Sequence, residues 1–94
     1  MPYLHVRQKT GNYDAWKQVF DKSGDARIDA GSKGGEVFQS ATNPNEVVVL
    51  LEWDEVDLAQ TFAQSKEFQQ MLQGGGGKGQ PDVLVLNETD DPVT

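Results

Sequence analysis

The sequence predicts a single α+β domain of order βαββαβ, folded as a four-stranded antiparallel sheet with two helices on one face. Three observations carry this. Short segments with period-two alternation or β-branched runs occur near residues 3–8, 35–40, 46–53 and 83–86. Stretches with apolar residues three and four apart fall after the first and third of these. Clusters of Gly, Asn and Pro separate the segments. A chain of 94 residues fits one domain, expected over residues 1–88, with residues 89–94 as an acidic flexible tail.

Each element has its own signal. In residues 3–8, Leu4 and Val6 share one face and Tyr3, His5 and Arg7 the other, as in a strand. Gly11-Asn12 ends it. Asn12 can cap a helix whose first turn holds Asp14, placed favourably for the helix dipole. Trp16, Val19, Phe20 and Ser23 mark one stripe of a helix over about 13–30, weakened at Gly24 and stopped at Gly31. Val37 and Phe38 anchor the second strand. Thr42-Asn43-Pro44-Asn45 is a hairpin connection. Residues 46–53 form the third strand, and the run at 47–51 is apolar on both faces.

Asp54 is positioned to cap the second helix, with Leu58, Ala59 and Phe62 as its stripe. Ser65 looks like a new N-cap, with Glu67 in the following turn and Phe68, Met71 and Leu72 as a second stripe. A helix broken near Ser65 is therefore expected, ending at residues 74–77. Residues 83–86 (Val-Leu-Val-Leu) form the last strand.

Composition narrows the function. The net charge of −7 lacks the basic footprint that nucleic acid or an anionic membrane surface requires. No cysteine is present, which removes disulfides, thiol nucleophiles and thiolate metal sites. No run is long enough to span a bilayer and no signal-peptide core is present, so a cytoplasmic location is expected.

Two helices cover one face of a sheet. The third strand is apolar on both faces, and the fourth is apolar throughout. Pairing of the open faces of two subunits would bury this surface, so a homodimer is expected. The alternative is that the C-terminal tail covers it.

Few residues carry chemistry. His5 is the only histidine; it is a candidate general base, or a sheet histidine with a hydrogen-bond partner. Arg7, on the same face as His5 and Tyr3, could orient an anionic or phenolic ligand or form an interface salt bridge. Glu52 could be a buried acid, pair with Arg7 or lie at a rim. Trp16, Phe20, Trp53, Phe62 and Phe68 are core residues that would also line any cavity, which with Glu52 gives a candidate pocket for a flat apolar ligand. No metal site is expected, since a lone histidine has no companion ligands.

Two motifs fail on context. Gly74-x-Gly76-x-x-Gly79 matches a dinucleotide fingerprint, but it follows a helix and precedes a strand, the reverse of what the fingerprint needs. A phosphate loop also fails, because Leu72 stands where its first glycine belongs and Gly79 follows Lys78. The stretch reads as a mobile connection or lid. Separately, Pro2 would become a terminal secondary amine if Met1 were removed, as in tautomerases that use such an amine as base.

Tyr3-Leu4-His5-Val6-Arg7, Tyr13-Asp14-Ala15-Trp16-Lys17, Val49-Leu50-Leu51-Glu52-Trp53-Asp54 and Phe62-Ala63-Gln64-Ser65 carry a family resemblance. With them the chain resembles the dimeric α+β-barrel superfamily, in particular proteins related to antibiotic-biosynthesis monooxygenases. The resemblance implies a ferredoxin-like subunit, a barrel formed by two sheets, and a cavity between sheet and helices. Members include cofactor-free oxygenases of aromatic polyketides and quinols, haem-degrading enzymes and isomerases. Counted from Trp53, Leu72 stands where the haem-degrading group has its histidine ligand. Phe62 stands where that group has tryptophan and quinol-oxidising relatives tend to have histidine. Haem degradation is therefore not expected, and quinol oxidation gains no support.

The expected function is binding of an apolar or aromatic small molecule by a homodimer, with oxygenation or isomerisation that uses no cofactor. His5 and Arg7 are the candidate catalytic residues. A non-catalytic binding or structural dimer is the alternative, and Pro2-based tautomerisation a lesser one.

Overall fold

Alternation along β1 (Pro2–Lys9) sends Pro2, Leu4, Val6 and Gln8 to one face of the strand, all buried. Tyr3, His5, Arg7 and Lys9 take the other. The computed structural model describes residues 1–74 and 76–94, so the glycine stretch at 74–79 lies partly outside the described residues. β1 is a central strand. It pairs antiparallel with β3 (Glu46–Trp53) on one side and β4 (Lys78–Asn87) on the other. β2 (Ser32–Gln39) pairs antiparallel with β3 at one edge, giving the order β2-β3-β1-β4.

The helices lie on the face carrying Leu4 and Val6. α1 (Tyr13–Lys22) is capped by Asn12, whose side chain accepts from the Ala15 N–H at 3.1 Å. The single helix expected over 13–30 is two. α1 ends at Ser23, and α2 (Gly24–Ala30) begins immediately after. The Ser23 hydroxyl donates to the Phe20 carbonyl at 2.8 Å, and Arg27 Nη1 donates to the same carbonyl at 2.6 Å. The end of α1 is thereby satisfied without a continuing turn. Gly31 closes α2 at φ 108°, in the left-handed region as the sequence predicts.

The second helical arm breaks in the same way. α3 (Val56–Ala63) and α4 (Lys66–Gln73) meet at Ser65, whose side chain accepts from the Phe68 N–H at 3.1 Å. The N-cap of α3 is Glu55, without a side-chain bond, and not Asp54. Asp54 lies 3.3 Å from Lys33 in an exposed ion pair. β2 starts earlier than residue 35. Its register shifts between Ser32 and Gly35, where a Cβ on Gly35 would stand 1.8 Å from the Leu50 carbonyl oxygen. β4 starts earlier than residue 83, because Asp82 and Lys78 also pair with β1.

The core sits between sheet and helices. Leu4, Val6, Val47, Val49, Leu51 and Trp53 meet Trp16, Phe20, Ala59, Phe62, Phe68, Met71 and Leu72. The aromatic rings pack in two groups. Trp16 stacks on Phe20 at 5.2 Å, and Phe62 bridges Trp53 at 5.4 Å and Phe68 at 5.5 Å.

The opposite face has no covering layer among the described residues. The shortest Cα extent is 20 Å, the depth of one sheet and one layer of helices. Direct cross-strand pairing aligns Glu36, Leu50, His5 and Leu84 in one row and Phe38, Val48, Arg7 and Asp82 in the next. Phe38, Leu84 and Leu86 are 44%, 54% and 38% exposed, so residues 88–94 leave this surface open. No described helix is long and apolar enough to cross a membrane.

The core makes a quantitative prediction. Phe68→Ala removes a ring that is 1% exposed and should lower unfolding free energy by about 3–5 kcal/mol in urea denaturation. Ile28→Ala, at a side chain 69% exposed, should stay within about 0.5 kcal/mol of the parent.

Candidate binding clefts

The two helical arms leave openings at opposite edges of the sheet. The first lies beneath α4 at the β4 edge, with a volume of about 380 Å3. Its apolar wall comprises Ala63, Phe68, Leu72, Pro81 and Val83, and its amides are Gln8, Gln69, Gln73 and Gln80. The apolar members come from the end of α3, the stripe of α4 and the helix-facing side of β4, so the same periodicity that builds the core also builds this wall. The second opening lies beneath α2 at the β2 edge, with a volume of about 300 Å3. Phe20, Val37 and Leu51 form its apolar surface, and Arg27 is the charged residue on its helical side.

Gln8 ties the first cleft to the core. It lies in phase with Leu4 and Val6 and is only 6% exposed, so its amide must find partners inside. Trp16 Nε1 donates to Gln8 Oε1 at 2.9 Å, and Gln8 Nε2 donates to the Leu72 carbonyl at 2.8 Å. One side chain thus joins β1, α1 and the end of α4. Gly77 passes close to this junction, since a Cβ there would stand 2.4 Å from the Leu72 carbonyl oxygen. The signal for Gln8 was present in the sequence, as a polar residue at an apolar phase of a strand.

The sequence-derived candidates divide among three places. Phe68 reaches the α4 cleft and Phe20 the α2 cleft. Trp16, Trp53 and Phe62 are packed within the core. Close packing of the facing stripes leaves these rings against one another rather than around a shared cavity. His5, Arg7 and Glu52 project from the uncovered face, so the sheet separates them from both clefts. Pro2 is buried at the start of β1, opposite Asn87.

The uncovered face has its own electrostatics. Arg7 pairs with Glu46 at 2.5 Å and not with Glu52. His5 lies between Leu50 and Leu84, and its buried Nδ1 has no hydrogen-bond partner among the described residues. Desolvation first, then the carboxylates of Glu52, Glu88 and Asp91, hold the Tyr3 phenol above its ordinary pKa. On the helix side, burial lowers the Arg27 guanidinium from its ordinary value, partly offset by Asp21. No cluster of three or more potential metal ligands occurs among the described residues.

The Gln8 junction can be tested directly. Gln8→Met keeps a similar shape but strips the Trp16 N–H and the Leu72 carbonyl of their partner. It should lower unfolding free energy by about 1–3 kcal/mol in urea denaturation. Adding Trp16→Phe, which removes the stranded donor, should make the second loss smaller than in the parent background.

Neither a protein-family model nor a curated protein matches the sequence. Solved structures do match in fold. A protein assigned as an antibiotic biosynthesis monooxygenase from Bordetella bronchiseptica superposes with a TM-score of 0.78 at 18% identity, covering 94% of this chain and 96% of that one. One of the same assignment from Deinococcus radiodurans gives 0.76 at 12% identity, covering 100% and 98%. Another, from Nitrosomonas europaea, gives 0.71 at 15% identity, covering 94% and 98%. The chain therefore has the ferredoxin-like α+β fold of the antibiotic-biosynthesis-monooxygenase-like proteins.

Proposed function

We propose that this protein is a homodimeric α+β-barrel that binds an apolar or aromatic small molecule in the cleft beneath α4. The cleft's lining carries the reading: apolar side chains from α4 and β4, with glutamine amides from β1, α4 and β4. Phe68, Leu72 and Val83 offer surface to a flat apolar body. An amide both donates and accepts, so Gln69, Gln73 and Gln80 suit the carbonyl or hydroxyl edge of an uncharged ring system. The volume of about 380 Å3 accommodates a molecule of two or three fused rings.

The uncovered sheet face supports the dimer. Phe38, Val48, Leu50, Leu84 and Leu86 share it around His5, and a second sheet would remove them from water. Two such faces enclosing one another give the barrel. His5 and Arg7 would then lie in its interior, away from the α4 cleft.

Cofactor-independent oxygenation is the second reading, supported by the fold shared with proteins assigned as antibiotic biosynthesis monooxygenases. In such chemistry the deprotonated substrate itself supplies electrons to dioxygen. A base is required, and His5 is the candidate for a ligand held inside the barrel. A ligand in the α4 cleft would meet amides there and would not reach His5. The two readings therefore differ in which side of the sheet holds the substrate.

Sedimentation velocity should give a dimer at micromolar concentration. Leu84→Glu, at a side chain 54% exposed in the single subunit, should give a folded monomer. A wild-type monomer would overturn the barrel. Anthrone or a quinol should quench Trp16 emission if it enters the α4 cleft, because Trp16 is bonded to Gln8 in its lining. Loss of quenching in Leu72→Glu would place the probe there. Oxygen uptake with anthrone that disappears in His5→Ala would favour the second reading, and binding without uptake the first.

A further inference from the structure

We propose that the cleft at the β2 edge, beneath α2, is a second binding site, for a one- or two-ring aromatic carboxylate held on the free Nε/Nη2 edge of Arg27. This site is independent of the α4 cleft and lies at the other edge of the sheet.

The Arg27 guanidinium carries five N–H groups. Two belong to Nη1, which donates to the Phe20 carbonyl at 2.6 Å and to the Ser23 hydroxyl at 2.7 Å. The same group lies over the Phe20 ring, 3.7 Å from its centroid. The head of Arg27 is thus fixed in place by the end of α1. Nε and Nη2 make no hydrogen bond to the described residues, and no carboxylate among them lies within ion-pair distance of Arg27. Asp21, the acidic neighbour that acts on Arg27, is itself paired with Lys17 at 2.5 Å. What remains is a half-buried cation, held rigidly, with its bidentate edge unused. That edge matches the two oxygens of a carboxylate.

The cleft defines the rest of the ligand. Phe20, Val37 and Leu51 supply apolar walls in a space of about 300 Å3. Gly24, Gly34 and Gly35 line it without side chains. A Cβ on Gly24 would stand 3.6 Å from Nη2, so the Gly24 backbone lies beside that nitrogen at ordinary contact distance. Glu36 also borders the cleft, but it pairs with Leu50 on the uncovered face, which directs its carboxylate away from Arg27. A flat apolar body with one anionic end therefore complements this opening. A neutral ligand would leave the guanidinium edge unmatched.

The test uses 2-naphthoate and its uncharged counterpart 2-naphthamide on the wild-type protein. Trp16 stacks on Phe20, so its fluorescence reports occupancy, and amide chemical shifts locate the probe. 2-Naphthoate should bind and shift the amides of Gly24, Gly34 and Gly35. 2-Naphthamide should bind at least about tenfold more weakly, the scale of losing a charged hydrogen-bonded pair. Arg27→Met should remove this preference, and Arg27→Lys should retain only part of it, since an ammonium keeps the charge but loses the fork. Equal affinity for acid and amide would overturn the proposal. So would shifts confined to Gln8, Gly77 and Gly79, or no binding at millimolar concentration. The acid–amide comparison needs no variant, so it decides even if Arg27→Met fails to fold. Either result leaves the reading of the α4 cleft standing.

Discussion

The structure depends on one constraint: all four described helices lie on one face of a sheet, while the other face, where Val48 and Leu50 stand beside His5, Arg7 and Glu52, has no covering layer among the described residues. Leu4, Val6, Val47 and Val49 are sealed beneath the helices. Their immediate neighbours along the chain, His5, Val48 and Leu50, face outward. A strand cannot send successive side chains the same way. The sheet is therefore a partition, and every functional group belongs to one side or the other. His5 and Arg7 belong with the uncovered surface, while Phe20, Phe68, Gln8 and Arg27 belong with the helices.

The clefts follow from how the helical arms are broken. Ser23 and Ser65 occupy equivalent positions in the two halves, and each hydroxyl donates to a carbonyl three residues back, at 2.8 and 2.7 Å. Such local bonds offer the backbone an alternative to a continuing helix. Each arm becomes two short helices that bend across the sheet rather than one rod lying over it. The bends leave an opening at each edge, one beside β2 and one beside β4. The two openings differ because their edge residues differ: glutamines at one, a single arginine at the other. The core between them is filled by Trp16, Trp53, Phe62 and Phe68, so neither opening runs through the molecule.

The strands and the break at Ser65 were legible because their signals are local. Alternation in β1, the apolar run of β3 and the serine cap each act within a few residues. The break at Ser23 was less legible. Trp16, Val19 and Phe20 continue the helical spacing up to it, and what ends α1 there is partly Arg27, folded back from the next turn. Asp54 has the chemistry of a cap, but α3 begins one residue later, with Glu55 at its N-cap. Gln8 was visible as a polar residue in an apolar phase, yet its partners, Trp16 and the Leu72 carbonyl, come from two other elements. Glu52 and Trp53, grouped by the sequence as pocket residues, stand on opposite faces of the sheet, because adjacent residues of a strand face opposite ways.

By itself the sequence determined the element order, the alternating faces and the excess of apolar surface, since these arise from residue spacing and backbone periodicity. Only the tertiary structure decided which side chains share a space. It set β1 between β3 and β4, placed the aromatic rings against one another, and left the free edge of Arg27 beside a cleft. The physical reason is that hydrogen-bond partners and packing neighbours are fixed by approach in three dimensions. A residue's own neighbourhood in the chain carries no record of which distant carbonyl or ring will reach it first.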